Sequence, residues 1–77
     1  MSYGYTLKLV SLNKSASARS LGVKLGRICI KQGVPVAEVA ESLGVSRQSV
    51  YYWFSGKTNP SVHTVARIEK FIIRLER

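Results

Sequence analysis

The chain has 77 residues, which is the size of a single domain with a small core. Twelve Lys and Arg residues against four Glu residues give a formal net charge of +8, and residues 1–37 hold six basic residues and no acidic one. This charge favours a polyanionic partner, either nucleic acid or an anionic membrane surface, although it could also serve only to keep the surface soluble.

The N-terminal segment alternates apolar and polar residues. Leu7 and Leu9 are separated by Lys8, which is the period of a short β-strand, although an arm without regular structure fits the segment as well. Residues 13–20 are small, polar and basic, as in a linker or a frayed helix start. We therefore divide the chain into an N-terminal arm or short strand over residues 1–15 and a helical domain over residues 16–77.

Helical spacing and end signals recur through the rest of the chain. Gly33 and Gly44 each follow an apolar helical pattern, where a glycine commonly ends a helix. Ser46 and Ser61 are suitable N-cap residues for the next two helices. The fold class that we predict is a compact all-α domain of four helices, over residues 18–32, 35–43, 47–54 and from 62 to the end of the chain.

The second and third predicted helices and the short turn between them form a helix-turn-helix pattern. The tight turn favours a residue that can adopt positive φ, here Gly44, and the close crossing of the helices needs a small residue, here Ala40. Val50, Trp53 and Phe54 are spaced to share one helical face and should be buried. The other residues of that helix should face outward, toward the major groove of DNA if it is a recognition helix.

Residues 21–72 resemble the helix-turn-helix domain of lambda-type phage repressors and Cro proteins, the Cro/repressor-like (Xre-type) family. The resemblance rests on GVPVAEVAESLGVSRQSVYYWFSGKTNPS, with LGVKLGRICIKQ before it and VHTVARIEKFI after it. In that family the start of the recognition helix reads base edges, and the loop after it contacts the sugar-phosphate backbone. The resemblance implies base reading by Arg47, Gln48 and Tyr52, with Ser49 and Tyr51 beside them, and backbone contacts by Ser46, Ser55, Lys57, Thr58 and Asn59. At the start of the first motif helix, we expect the backbone contact to come from the helix N-terminus or from Lys31 and Lys24.

Two features depart from the family pattern. Several phage repressors begin the first motif helix with a glutamine that touches phosphate and braces a base-reading side chain, and Val36 can do neither. Many relatives also have a fifth helix, whereas this chain is predicted to end in one long fourth helix.

The last predicted helix has more apolar residues than one helical face needs. Surplus apolar surface is typical of self-association, and we predict a homodimer, although the same residues could instead cover Val23 and Ile30. The residues assigned to dimerisation are Phe71, Ile72, Ile73 and Leu75.

The sequence predicts a non-catalytic, Cro-like regulator of transcription that binds double-stranded DNA and blocks or recruits RNA polymerase. A DNA-binding adaptor or architectural protein, such as a terminase small subunit, an excisionase-like protein or an antitoxin, remains the alternative. An enzyme fits poorly, because the chain has no aspartate, one histidine and one cysteine. We expect no metal, cofactor, small-molecule ligand or membrane partner. The resemblance implies a location in the bacterial cytoplasm or nucleoid, and a phage or mobile-element origin.

Overall fold

The computed structural model describes residues 6–17 and 19–77, and this part of the chain is all-helical. Its five helices are α1 (Leu7–Ser15), α2 (Leu21–Gln32), α3 (Val36–Leu43), α4 (Arg47–Ser55) and α5 (Val62–Glu76). The predicted all-α class is confirmed, and α2 to α5 correspond to the four predicted helices, but the predicted count of four is one too low, because α1 is a fifth helix. Residues 1–5 of the predicted strand lie outside the described residues, as does Ala18.

Helix α1 occupies the place of the predicted strand or arm. Thr6 caps it, because its Oγ1 accepts a hydrogen bond from the backbone N–H of Leu9 at 3.1 Å. Leu9 and Asn13 are one helical turn apart and 6% and 2% exposed, whereas Leu7 is 84% exposed. The strand prediction is therefore wrong over residues 7–15. Because the second inward-facing residue, Asn13, is polar, the segment lacks the repeated apolar spacing from which a helix would be predicted.

Two side chains hold α1 against the other helices. The buried Asn13 donates through Nδ2 to the carbonyl oxygens of Val23 in α2, at 3.1 Å, and of Phe54 in α4, at 2.7 Å. Arg27 donates through Nη2 to three carbonyl oxygens at the C-terminal end of α1, at distances from 2.9 to 3.4 Å. Helix carbonyls at that end lack partners within the helix, so the guanidinium acts as a cap. The chain itself covers Val23, which has no exposed surface.

Two glycines allow α2 and α4 to approach closely. A Cβ added at Gly22 would lie 2.7 Å from the Cβ of Trp53. A Cβ added at Gly26 would lie 2.6 Å from Nδ2 of Asn13 and 2.8 Å from Cγ of Phe54. Because real Cβ atoms do not approach so closely, larger residues at these positions would push α1, α2 and α4 apart.

The turn between α3 and α4 has the predicted geometry. Gly44 adopts the left-handed conformation, with φ of 69°, and the N–H of the next residue donates to the carbonyl of Ala40 at 3.0 Å. Ala40 is buried at the helix crossing. Val50, Trp53 and Phe54 are also buried, so the predicted inward face of α4 is confirmed.

Helix α5 packs against both α2 and α3. Phe71 and Ile72 are 4% and 5% exposed and belong to the core, and Leu75 is partly buried against it. Of the four residues assigned to dimerisation, Ile73 has the largest exposed fraction, 55%. The structure therefore corrects the expectation of a four-residue surplus surface, because contact with two helices buries two sides of α5. Self-association stays a prediction, and it now depends mainly on Ile73.

Candidate nucleic-acid interface

The outward face of α4 begins with a long basic and a long amide side chain. Ser46 caps the helix: its Oγ accepts a hydrogen bond from the N–H of Ser49 at 3.1 Å and lies 3.0 Å from the Ser49 hydroxyl. Arg47 and Gln48 follow in the first turn, and both are exposed. The hydroxyls of Ser46 and Ser49 are thus engaged with each other, while Arg47 and Gln48 project into solvent.

Gln48 is linked to the next turn of the helix and to the loop beyond it. Its Nε2 donates to Oη of Tyr52 at 2.8 Å, and Nζ of Lys57 lies 4.6 Å from the centroid of the Tyr52 ring. The carbonyl oxygen of Tyr52 accepts hydrogen bonds from the backbone N–H groups of Lys57 and Thr58 and from the hydroxyl of Ser55. The loop therefore folds back against α4. This places Lys57 beside Tyr52, the residue that accepts the hydrogen bond from Gln48.

Tyr52 supplies a brace that Val36 cannot supply. Val36 is 7% exposed and belongs to the hydrophobic core. The Tyr52 hydroxyl instead holds the Gln48 amide from within the same helix, at the i, i+4 spacing that brings side chains together. Gln48 is therefore held from within its own helix and not from position 36.

A groove separates α4 from the first turns of α1. Tyr51, which is 42% exposed, lies on the α4 wall, and Lys8 lies on the α1 wall. Sequence reasoning assigned no role to Lys8 or Thr6, because it read their segment as a strand or arm. Thr6 was the one available signal, as a cap residue three positions before Leu9. The full lining is Thr6, Lys8, Leu9, Leu12, Tyr51, Tyr52, Ser55 and Lys57.

All the charged side chains of α1, α2 and α4 are basic. Helices α1, α2 and α4 carry two, three and one Lys or Arg residues and no acidic residue. The four glutamates lie on α3 and α5. Helix α5 also has three basic residues, so α1, α2 and α4 differ from it in that no carboxylate on them opposes the attraction of a polyanion.

A family model described as helix-turn-helix matches residues 23–72, which are 50 of the 77 residues. The chain belongs to this helix-turn-helix family. It is the Xre or lambda-repressor-like family that the sequence resembles, a family of DNA-binding regulators. No curated protein and no solved structure matches the chain. Helix α1 lies outside the matched segment, so the groove joins a wall of the helix-turn-helix domain to a wall that the family match does not cover.

Two residues that were predicted to contact the DNA backbone, Asn59 and Lys31, are not among those bonded to the Tyr52 carbonyl. Asn59 is exposed, and its Oδ1 accepts a hydrogen bond from the hydroxyl of Ser20 at 3.0 Å. Lys31 lines a second groove, between α1 and α2, with Lys14 and Arg27. The structure therefore groups Ser55, Lys57 and Thr58 beside Tyr52, and it does not bring Lys31 to them.

The composition of the described helices gives no sign of a metal site or a membrane span. Within residues 6–17 and 19–77, no group of three or more His, Cys, Asp or Glu residues is arranged to hold a metal ion. None of the helices in the described ranges has the length and apolar character needed to cross a membrane. Cys29 is buried, and its burial, together with the negative charge of Glu38, raises the pKa of the thiol to about 12.

Proposed function

We propose that this helix-turn-helix protein is a sequence-specific, non-catalytic regulator of transcription that inserts α4 into the major groove of double-stranded DNA. One observation carries the proposal: Arg47 and Gln48 are exposed at the start of a helix whose opposite face is buried, and Tyr52 orients Gln48. The major groove admits an α-helix, and each base pair presents there a distinct pattern of donors and acceptors.

The two exposed side chains have complementary chemistry for base reading. The Arg47 guanidinium can donate two hydrogen bonds to O6 and N7 of guanine. Gln48 gives one of its two N–H groups to Tyr52, so its second N–H and its Oε1 remain. Those are the groups that N7 and the N6 amino group of adenine require. A glutamine that is already oriented loses less side-chain freedom on binding. Ser49 and Tyr51 stand beside these two readers.

The loop after α4 would hold the DNA backbone. Lys57, Ser55 and Thr58 are clustered at the C-terminal end of α4 by the carbonyl of Tyr52. The Lys57 ammonium and the Thr58 hydroxyl can donate to phosphate oxygens, whereas the Ser55 hydroxyl and the backbone N–H groups of Lys57 and Thr58 already donate to that carbonyl. Such contacts set the position of α4 in the groove without reading sequence.

A homodimer would extend the recognition. A single α4 reads only a few base pairs, whereas two copies related by a two-fold axis read half-sites separated by about 34 Å, one turn of DNA. Ile73, near the C-terminal end of α5, is an exposed apolar residue that such a dimer would cover. Occupation of the operator would then exclude or recruit RNA polymerase in the cytoplasm of a bacterial cell.

Selection from a random duplex library tests the proposal. The selection is run at about 150 mM salt, where binding to phosphates alone is weakened. We expect enrichment of an inverted repeat with half-sites about ten base pairs apart. If nothing is enriched and binding only weakens with rising salt, the regulator proposal fails, and the architectural or adaptor role becomes the better explanation.

Arg47→Ala tests the reader itself. The variant should lose about 1–3 kcal/mol of binding free energy on the selected site and little on random DNA. Arg77→Ala is the matched control, because it removes the same charge from an exposed residue at the end of α5. Equal losses on both DNAs for Arg47→Ala would show that Arg47 binds phosphate instead of bases.

A further inference from the structure

Helix α1 brings a second lysine to the edge of the recognition helix. Lys8 in the first turn of α1 and Lys57 in the loop after α4 line the same groove, with Tyr51 and Tyr52 between them. Tyr52 lines this groove and also accepts the hydrogen bond from Gln48, so Gln48 stands one helical turn from a residue of the groove. A DNA strand that passes along this groove would therefore meet both lysines.

The position of Lys8 is set by the docking of α1. Asn13 ties α1 to both α2 and α4, and Arg27 caps its C-terminal end. Leu9, the residue after Lys8, is buried in the core, and Thr6 caps the first turn. Lys8 thus stands on a helix anchored at both ends, directly beside α4.

The groove suits a phosphate backbone in its charge and its donors. Its lining contains two lysines and no carboxylate, together with the hydroxyl groups of the two tyrosines. The second groove, between α1 and α2, also has two lysines, Lys14 and Lys31, and no carboxylate, but no residue of α4 lines it. Charge together with contact with α4 therefore favours DNA phosphate in the groove beside α4.

We propose that α1 is part of the DNA-binding surface and that Lys8 contacts a backbone phosphate beside the major groove that α4 occupies. This proposal rests on the proposed function, and it adds a contact from a helix outside the segment that matches the family. Lys8 and Lys57 bind the same stretch of backbone from the two walls of the groove. The contact adds affinity without sequence preference and fixes how deeply α4 enters.

The salt dependence of binding tests the contact with Lys8. Each phosphate contact contributes about 0.9 to the slope of log K against log salt on B-DNA. Lys8→Gln should therefore reduce the slope by about 0.9 and weaken binding about fivefold at 0.15 M salt, equally on selected and random DNA. Lys70→Gln is the matched control, because it removes the same charge from α5, on a groove shared with α3. It should leave the slope nearly unchanged.

The outcomes separate this proposal from the proposed function. If the unmodified chain binds its selected site and Lys8→Gln has the slope of Lys70→Gln, the Lys8 contact is refuted while the regulator role stands. A loss confined to the selected site would also refute it, because that loss indicates base reading. If the unmodified chain shows no DNA binding, the proposed function itself fails.

A proximity measurement removes the dependence on charge. Lys8→Cys provides one accessible thiol for an iron–EDTA group, because Cys29 has no exposed surface. The tethered iron should cleave the DNA backbone at the edge of the selected site. Lys70→Cys, labelled in the same way, should give little cleavage, and the unmodified chain treated with the reagent serves as the blank. Equal cleavage from positions 8 and 70 would overturn the placement of α1 on DNA.

Discussion

The buried amide of Asn13 gives the most direct test of how α1 is held in the fold. Its Nδ2 donates to the carbonyls of Val23 and Phe54 at 3.1 and 2.7 Å, and the residue is 2% exposed. Asn13→Ala removes both hydrogen bonds, each with a net contribution of about 0.5–1.5 kcal/mol. With the small cavity included, the free energy of unfolding should fall by about 2–3 kcal/mol. A domain of this size has only about 4–12 kcal/mol in total.

Urea denaturation, followed by circular dichroism and by the fluorescence of the single tryptophan, measures this loss. In a thermal scan, the midpoint should fall by about 4–8 °C for each kcal/mol. Asn59→Ala is the matched control, since it removes the same side chain from an exposed position with one hydrogen bond to Ser20. Its effect should stay within about 0.5 kcal/mol. Equal urea midpoints for the two variants would refute the argument that Asn13 holds α1 in place.

Three further predictions follow from single contacts. Gly22→Ala should lower the free energy of unfolding by about 1–3 kcal/mol in a urea titration, because the new Cβ would lie 2.7 Å from that of Trp53; an unchanged midpoint would contradict the close packing. Cys29, with a pKa of about 12, should be almost entirely thiol at pH 8 and react with a disulfide reagent only after unfolding in urea; fast reaction of the folded chain would show that it is accessible. Tyr52→Phe should change stability by less than about 0.5 kcal/mol but reduce base preference at the pair read by Gln48 in a repeated selection; an unchanged preference would show that the hydrogen bond does not orient the reader.

The helix-turn-helix could be predicted because its signals are local in the sequence. Gly44 permits the turn by adopting φ of 69°, and Ser46 caps the helix that follows. Val50 and Trp53 are one turn apart on a short helix, so their common burial follows from helical geometry. None of these inferences required knowledge of what packs against the motif.

The candidate site was only partly predictable, because only some of its contacts join residues that are close in the sequence. The exposure of Arg47 and Gln48 could be predicted because the N-cap Ser46 fixes their place in the first turn of α4, and the structure shows that both are exposed. The hydrogen bond from Gln48 to Tyr52 has the i, i+4 spacing of a helix, so the sequence contained it as a possibility. The place of Lys57 over the Tyr52 ring depends on the path of a loop, which no periodic pattern describes.

The sequence by itself determined the basic charge, the helix-turn-helix and the division of α4 into an inward and an outward face, since each depends on composition or on residues within one or two turns. Only the tertiary structure decided the fate of α1 and of the apolar residues of α5. Asn13 is buried because it meets carbonyl oxygens 10 and 41 residues further along the chain. Phe71 is buried because α5 contacts both α2 and α3. Contacts between residues so far apart in the chain leave no periodic trace in the sequence, and they place Lys8 beside α4.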